Sequence, residues 1–305
     1  MEYHRIGSLV MKRRLVVGTA VSAGMVLSLS GCLGGSGEEK GSGAAGGGKS
    51  VVLAAADVVR KSSEKTSQVQ TVKAELQTEV TVPGAPGAVR MHMRMASKMR
   101  PELAFRMTVD QVSMGGKSLP GQSGMEMVMT GRTLYMKSPA FAQLTHGKQW
   151  VKMTAAELGA ASGQNFDQLL DQQKQADPSD QVKKLTASKD IHEVGKETVN
   201  GVETTHYAGT MSVQEMAAKL PAQQQERQLK SFQKLGVQTL AFDLWVDGKQ
   251  LPAKIAVKTP EGSSTKMDTT VTYSDWNAPV TVSAPPASEV GPMPKLPNLG
   301  NTPGA

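Results

Sequence analysis

The stretch that decides the fold is residues 240–257, which read LAFDLWVDGKQLPAKIAV. Apolar side chains occupy alternate positions before the Asp247-Gly248 pair and again after it. Such alternation is typical of a strand with one buried and one wet face. Asp-Gly between two alternating runs is a hairpin signal. The stretch therefore predicts two antiparallel strands that share an apolar face of one sheet.

The same pattern continues on both sides of this hairpin. Downstream, residues 267–273 alternate after the Glu261-Gly262 turn, and upstream Asn200-Gly201 separates runs over 191–199 and 202–211. Earlier alternating runs lie at residues 72–80, 89–95, 103–109, 125–129, 134–136 and 150–153. A sheet of about ten or eleven strands is too wide to stay flat and should curl. We predict an α+β fold, a curved antiparallel β-sheet or half-barrel with helices packed on its concave face.

Helices are predicted at the start of the domain and in two insertions. Ser50 can cap a helix over residues 51–65. Thr154–Glu157 and Ser212–Glu215 fit capping boxes. Between them, one short helix contains Phe166, Leu169 and Leu170, and another begins at Asp177-Pro178 with Val182 and Leu185 facing inward.

A Gln-rich helix is predicted over residues 222–235, between Pro221 and Gly236. Its apolar residues are few: Leu229, Phe232 and Leu235. Two interpretations stay open. One is a surface helix with a narrow buried stripe. The other is a mobile lid over a cavity mouth, with Pro221 and Gly236 as its hinge ends.

The N-terminus has the order of a secretion signal. Basic residues precede an apolar run over residues 15–29, which is short of the roughly 20 residues that a spanning helix needs. The run ends in Leu29-Ser30-Gly31-Cys32, and Cys32 is the one cysteine in 305 residues. This tetrapeptide resembles a bacterial lipobox, which implies a diacylglyceryl group on the Cys32 thiol and cleavage before Cys32. The alternative is an ordinary secreted protein with a chance cysteine.

Composition divides the chain into four parts. Residues 1–31 are the expected signal peptide, and residues 32–50 a flexible Gly/Ser-rich tether. Residues 51–285 are expected to form one large domain with a single core. Residues 286–305 are a Pro-rich tail that we expect to be disordered.

Charge and motif content argue against several classes of function. Residues 1–31 hold four of the 34 basic and one of the 27 acidic residues, so 30 remain against 26, without a basic cluster. With aromatics at 4%, nucleic acid is not expected as a partner. No pair among the five histidines lies at the helical spacing that binds zinc, and no nucleophile elbow or phosphate loop occurs. We expect no catalytic residues, no metal site and no cofactor, hence no enzyme.

Methionine is the most unusual component. Ten of the 18 methionines fall between Met91 and Met136. Three interpretations compete: packing on a sheet face, an adaptable wall for acyl chains, and a copper site, since soft thioethers select Cu(I). His92 has the opposite strand parity from its Met neighbours, which argues against copper. The candidate lining of a lipid cavity is Met91, Met93, Met95, Leu103, Phe105, Met107, Met127, Met129, Leu134, Phe242, Leu244 and Ile255.

Three stretches carry a family resemblance. They read NGVETTHY at residues 200–207, LWVDGKQLPAKI at 244–255 and VTYSDWNAPV at 271–280. With the lipobox and the tether, they resemble the LppX/LprA/LprF/LprG family of actinobacterial lipoproteins, which shares the LolA/LolB architecture. The resemblance covers residues 51–286 and lies in turns and strand ends. It implies a half-barrel with helices lining a hydrophobic cavity, and binding of acylated lipids or glycolipids that are carried outward from the cytoplasmic membrane.

These observations predict a lipid-anchored protein on the outer face of the cytoplasmic membrane. Its expected ligand is an acylated lipid or glycolipid, and its expected partners are membrane lipid through Cys32 acylation and a membrane transporter. One alternative is a signalling or assembly lipoprotein that acts through protein contacts and has a closed core. Another is a Met-rich copper carrier. An accessible cavity distinguishes the first two.

Overall fold

The computed structural model describes residues 46–119, 121–138, 141, 145, 147–154, 157, 177–186, 188–218 and 222–292. The lipobox around Cys32, Pro120, the predicted helix with Phe166, Leu169 and Leu170, and Pro221 all lie outside the described residues.

Within these residues the chain forms four α-helices and thirteen strands. The helices are α1 Gly46–Thr66, α2 Pro178–Leu185, α3 Val213–Ala217 and α4 Ala222–Lys234. The first seven strands are β1 Thr71–Thr81, β2 Val89–Lys98, β3 Ala104–Met114, β4 Lys117–Ser118, β5 Met125–Thr130, β6 Thr133–Lys137 and β7 Trp150–Thr154. The others are β8 His192–Val199, β9 Val202–Ser212, β10 Thr239–Asp247, β11 Pro252–Lys258, β12 Lys266–Ser274 and β13 Val290–Pro292.

All thirteen strands belong to one open, curved sheet. Its order is β13-β7-β6-β5-β3-β2-β1-β12-β11-β10-β9-β8, with β4 paired to β3 beside this path. The predicted fold class is confirmed, with two corrections. The sheet has thirteen strands instead of ten or eleven, because β4 and β13 are too short to show alternation. It is also mixed, because β13 pairs with β7 in parallel.

The helices pack on one face of the sheet, over its β9–β12 half and the start of β1. They form a core that we call the helix-side core, where Val59 of α1 and Leu185 of α2 meet Leu240 and Leu244 of β10. Other members include Val182, Val213, Met216, Tyr207, Phe242, Ile255 and Tyr273. The interior of the molecule on this half is therefore a layer between helices and sheet.

The predicted turn and cap chemistry is present. Asn200 and Gly201, between β8 and β9, have φ of 49° and 79°, which a type I′ hairpin turn requires at both central positions. The Asp177 carboxylate accepts a hydrogen bond from the Ser179 N–H at 2.8 Å and caps α2. Ser212 caps α3 by accepting from the Glu215 N–H. The Asn200-Gly201 hairpin and both caps are confirmed.

Two predicted boundaries are wrong. Helix α1 begins at Gly46, so Ser50 lies inside it and not at its N-terminus; once a helix has nucleated, each added residue gains a hydrogen bond. The tail is not disordered at its start, since Ala287–Glu289 forms a 3₁₀ helix and leads into β13. Pairing with β7 holds this segment, and residues 293–305 lie outside the described part.

The Gln-rich helix α4 is a surface helix with one buried stripe. Leu229, Phe232 and Leu235 are partly buried against the helix-side core. Gly236 adopts φ of 67° at its C-terminal end, where the Val237 N–H donates to the Phe232 carbonyl at 2.9 Å. This is the hydrogen bond of a Schellman cap. These contacts favour the surface-helix interpretation over the lid.

Candidate functional site

The register of β2, β3, β5 and β6 brings four methionines into one line across the sheet. Met95 lies opposite Met107, Met107 opposite Met127, and Met127 opposite Met136. Residues directly opposite on antiparallel strands share a face. We call these four residues the methionine row. All four are partly buried.

A second line of cross-strand neighbours runs beside the methionine row, two residues away along β3, β5 and β6. Phe105 lies opposite Met129, Met129 opposite Leu134, and Leu134 opposite Met153. These four side chains are buried and form a cluster against which the methionine row packs. We call the two lines together the methionine wall. It is an apolar surface with a buried inner line and a partly exposed outer line.

The wall is continuous with the helix-side core. Met95 contacts both the inner line of the wall and the helix-side core. It also lies opposite Ala74 of β1, which belongs to that core. The wall therefore occupies the same face of the sheet as the helices, on its β2–β7 half.

The structure divides the twelve predicted cavity residues into two groups. Seven lie in or against the wall: Met95, Leu103, Phe105, Met107, Met127, Met129 and Leu134. Phe242, Leu244 and Ile255 instead belong to the helix-side core, with exposed fractions of 1%, 0% and 6%. Met91 and Met93 are partly buried on β2, and Met93 lies opposite Val109.

Met136 and Met153 were missed among the candidates. Met136 follows Leu134 at strand spacing, and Met153 follows Val151 in the same way. This alternation was a signal that could have identified both, because residues two apart on a strand share a face. What the sequence could not provide is the register that aligns them with Met127 and Leu134.

The opposite face of the sheet is polar and carries two open grooves. One groove of about 540 Å³ is lined by Glu75, Gln77, Thr78, Glu79, Arg90, Met91, His92, Gln111, Asp268 and Thr270, so the predicted cavity residue Met91 borders it. A second, of about 380 Å³, adjoins it at Glu75 and is lined by charged residues such as Lys73, Arg94 and Arg106 together with Ala74, Met95 and Ala96. Charged side chains line both grooves, which distinguishes them from the apolar methionine wall.

Several charged side chains of these grooves form ion pairs. Arg90 donates to both carboxylate oxygens of Glu79, at 3.0 and 2.7 Å, and Arg94 to both of Asp110, at 2.8 and 2.5 Å. Hydrogen bonds from Gln77 and then from His92 lower the pKa of Glu75. His92 Nε2 lies 2.8 Å from Glu75, on the face away from the methionines, as its strand parity predicts.

A third polar cluster surrounds His206 on β9. Its ring stacks on Trp245 with centroids 4.3 Å apart. Nδ1 lies 2.9 Å from Glu197 and Nε2 lies 2.9 Å from Asp243. The Trp245 indole N–H donates to Glu197 at 2.8 Å, and this bond is the main cause that lowers the pKa of Glu197. These contacts join β8, β9 and β10 across the sheet.

Two searches of the described residues concern metal ions and membrane-spanning helices. Among the residues that the structure describes, no three His, Cys, Asp or Glu side chains are placed to hold a metal ion. None of the described helices is long and apolar enough to cross a membrane. The methionine wall is the candidate site, because it is an apolar surface whose outer line is only partly buried.

The fold class of this protein is an open, curved sheet in which helices cover one half of a face and an apolar wall occupies the other half. Residues 54–287 match the model of a family described as "Family of unknown function (DUF6612)". The chain belongs to this family.

Two curated relatives from Streptomyces match part of the chain. A protein of Streptomyces griseus, "Uncharacterized 31.2 kDa protein in rplA-rplJ intergenic region", is 37% identical over 175 residues, which are 54% of this chain and 55% of the relative. "Putative lipoprotein SCO4650" of Streptomyces coelicolor is 28% identical over 159 residues, 51% of this chain and 46% of the relative. The chain thus spans about half the length of the curated relatives it matches.

Solved structures similar to this chain include members of the group that its motifs resemble. LppX of Mycobacterium tuberculosis has 16% identity and a TM-score of 0.45, covering 76% of this chain and 99% of LppX. LprF of Mycobacterium bovis has 16% identity and a TM-score of 0.48, covering 76% of this chain and 97% of LprF. The predicted resemblance to this lipoprotein group is confirmed. At these identities and TM-scores, the likeness carries no statement about a ligand.

Proposed function

We propose that this protein is a lipid-anchored lipoprotein of the cell envelope that binds an acyl chain against its methionine wall. The observation that carries the proposal is the methionine row, four partly exposed apolar side chains aligned across four strands on the helix-bearing face. The name of the Streptomyces coelicolor relative, a lipoprotein, supports the anchoring half of the proposal.

The wall suits a flexible apolar ligand. Each methylene group of an acyl chain that leaves water contributes about 0.8 kcal/mol, so part of one chain is enough to drive binding without polar contacts. Methionine side chains are flexible and polarisable, and they adapt to ligands of different shape. Neighbouring strands are about 4.8 Å apart, so the row extends over roughly three such spacings. An acyl chain lying across the strands would contact every member of the row.

The cargo class is an acylated lipid or glycolipid, and the protein acts on the outer face of the cytoplasmic membrane. Cys32 carries the anchor, because cleavage at the lipobox makes it the first residue of the mature chain. Two acyl chains give stable anchoring where one does not. A membrane transporter would pass cargo to or from the wall. The protein is a carrier and uses no catalytic residue.

Native mass spectrometry tests the binding half of this proposal. The full chain is extracted from its own membrane in mild detergent and compared with delipidated protein. We expect an added mass that dissociates and fragments into acyl chains. An empty protein that also takes up no fluorescent fatty acid would mean that the core is closed, and the protein would then act through protein contacts.

Intact mass tests the anchoring half separately. We expect the mature chain to begin at Cys32 and to carry the mass of a diacylglyceryl group. A Cys32→Ser variant should keep residues 1–31 and carry no lipid. A mature wild-type chain that is cleaved elsewhere, or that carries no added mass, would show that the cysteine is not a lipid anchor.

A further inference from the structure

We propose that the methionine row is also a binding site for a soft monovalent metal ion, Cu(I). The geometry brings one methionine from each of two sequence clusters, Met95 of β2 and Met127 of β5, onto one line with Met107 and Met136. In the sequence these clusters are about thirty residues apart, and the sheet register makes them neighbours through β3. The proposal does not rest on acyl binding, because it depends on sulfur and not on apolar surface.

The contrast within one face of the sheet supports a role for sulfur. On the other half, the comparable cross-strand line is Tyr207, Leu244, Ile255 and Val271. That line contains no thioether, and it packs in the helix-side core. Along this line the helix-covered half uses branched and aromatic residues, and Met211 and Met267 pack singly elsewhere in that core. Where the face is partly exposed, the chain uses four methionines in succession.

Thioethers at this spacing can share one ion. Directly opposite side chains on antiparallel strands have Cβ atoms about 4.5–5.5 Å apart, and methionine has three rotatable bonds beyond Cα. Two or three neighbouring sulfurs, such as those of Met107, Met127 and Met136, can therefore turn toward a common point. Cu(I) is satisfied by two or three soft ligands, and thioether sulfur selects it over harder ions.

The surroundings favour Cu(I) over divalent ions. Across the described residues no group of three His, Cys, Asp or Glu side chains could hold a metal, so Zn(II) and Cu(II) find no matching ligand set there. His92, the imidazole nearest in sequence, pairs with Glu75 on the opposite face. Since the row is only partly buried, a monovalent ion bound by neutral ligands keeps contact with solvent.

Titration of the full chain with Cu(I) tests the proposal. Cys32→Ser is introduced first, because it removes the one thiol of the sequence, and the protein is held in detergent under anaerobic conditions. Cu(I) is supplied as its bicinchoninate complex, and Zn(II) and Cu(II) are titrated in parallel. We expect transfer of one Cu(I) to the protein and no comparable binding of Zn(II) or Cu(II). Failure to withdraw Cu(I) from the chelator would overturn the proposal.

Methionine-to-leucine variants locate the ion. Met107→Leu/Met127→Leu removes two thioethers at nearly constant volume, and we expect Cu(I) affinity to fall at least about tenfold because the soft ligands are gone. Met99→Leu/Met267→Leu is the matched control, since both residues are partly buried outside the row. An unchanged affinity in the row variant, or an equal loss in the control, would contradict the site.

A measurement on the unsubstituted row makes the test independent of variant folding. Ag(I) is a redox-inert substitute for Cu(I), and methyl NMR of labelled methionines reports which thioethers it binds. We expect shifts for methyl groups of the row and none for Met211 and Met216, which are buried in the helix-side core. Shifts confined to other methionines would overturn the assignment.

The two ligand classes are separable on the same surface. The unsubstituted protein is therefore titrated with each ligand alone. Cu(I) transfer with Ag(I) shifts in the row, but no fatty-acid uptake, would leave the metal site standing and contradict the lipid proposal. Fatty-acid uptake without Cu(I) transfer would overturn the metal site and leave the lipid proposal standing.

Discussion

Gly209 lies where β9 passes beneath the buried ring of Phe242. A Cβ atom at Gly209 would be 2.8 Å from Phe242 Cζ and 2.7 Å from Ser188 Oγ, closer than van der Waals contact allows. Phe242 cannot move aside, because it is 1% exposed in the helix-side core. Gly209→Ala should therefore destabilise the protein by about 1–3 kcal/mol, the usual cost of overpacking a core.

Urea denaturation measures this effect, and Gly248→Ala is the matched control. A Cβ atom at Gly248 would meet no other atom within 4 Å, and Gly248 does not need a left-handed backbone. The control should unfold at the wild-type urea concentration or above it. Equal midpoints for the two alanine variants would show that Phe242 yields and that the core is looser than its burial indicates.

Lys184 of α2 is a buried cation with a testable pH signature. Its side chain is 2% exposed, and burial lowers its pKa from 10.5 to about 7, with Asp180 opposing the shift. Between pH 7 and 10.5 the unfolded chain holds the proton and the folded chain does not. The contribution of Lys184 to the free energy of unfolding therefore rises with pH across that window.

Lys184→Met should remove this dependence. We expect the variant to have a higher Tm than the wild type near pH 6, where the buried amine is charged, and the difference to shrink toward pH 10.5. Thermal unfolding followed by circular dichroism at a series of pH values measures it. Lys183→Met, on the exposed side of α2, should show no such trend, and a Lys184→Met difference that stays constant with pH would contradict the burial argument.

At the scale of elements, alternation and turn chemistry predicted the long strands and their hairpins. Strand β13 was missed because Val290-Gly291-Pro292 has only three residues and no alternation. Its pairing with β7 joins residues 140 positions apart, which no local pattern records. The predicted start of α1 was too late, because Gly46–Gly48 join the helix by extension from the helical turns that follow them. Their own helix propensity does not indicate this.

The segment from Ala287 to Pro292 should contribute to stability although it lies in a Pro-rich tail. It pairs with β7, and Lys148 Nζ donates to the Ser288 carbonyl at 2.6 Å. A chain ending at Pro286 should be less stable than one ending at Pro292 by on the order of 1–3 kcal/mol, since each lost hydrogen bond contributes about 0.5–1.5 kcal/mol. Chemical denaturation of the two truncated chains compares them, and coincident unfolding curves would show that β13 does not stabilise the sheet.

At the scale of the whole molecule, the sequence predicted an apolar, Met-rich ligand surface but not its extent. Met95, Met107 and Met127 were recognised as candidates from strand parity, which is a local property. Their alignment in one row depends on register across β2, β3 and β5. The separation of Phe242 and Leu244 into the helix-side core depends on which half of the sheet the helices cover. Strand register and helix placement both depend on contacts between residues far apart in the sequence, and periodicity along one strand does not predict such contacts.

The proposed lipid site makes a prediction that involves the whole fold, because a ligand that binds only the folded state raises its Tm with concentration. Laurate should raise the Tm of the wild type progressively, since its chain leaves water on the methionine wall. Met107→Gln places an amide in the middle of the row and should reduce that increment, because an amide buried under an acyl chain lacks a hydrogen-bond partner. Thr108→Gln puts the same amide one residue further along β3, on the opposite face, and should leave the increment unchanged. Equal laurate-induced increases in Tm for Met107→Gln and Thr108→Gln would place the fatty acid elsewhere. A smaller increase in Met107→Gln alone, with Met107→Leu like the wild type, would assign binding to the apolar character of the row.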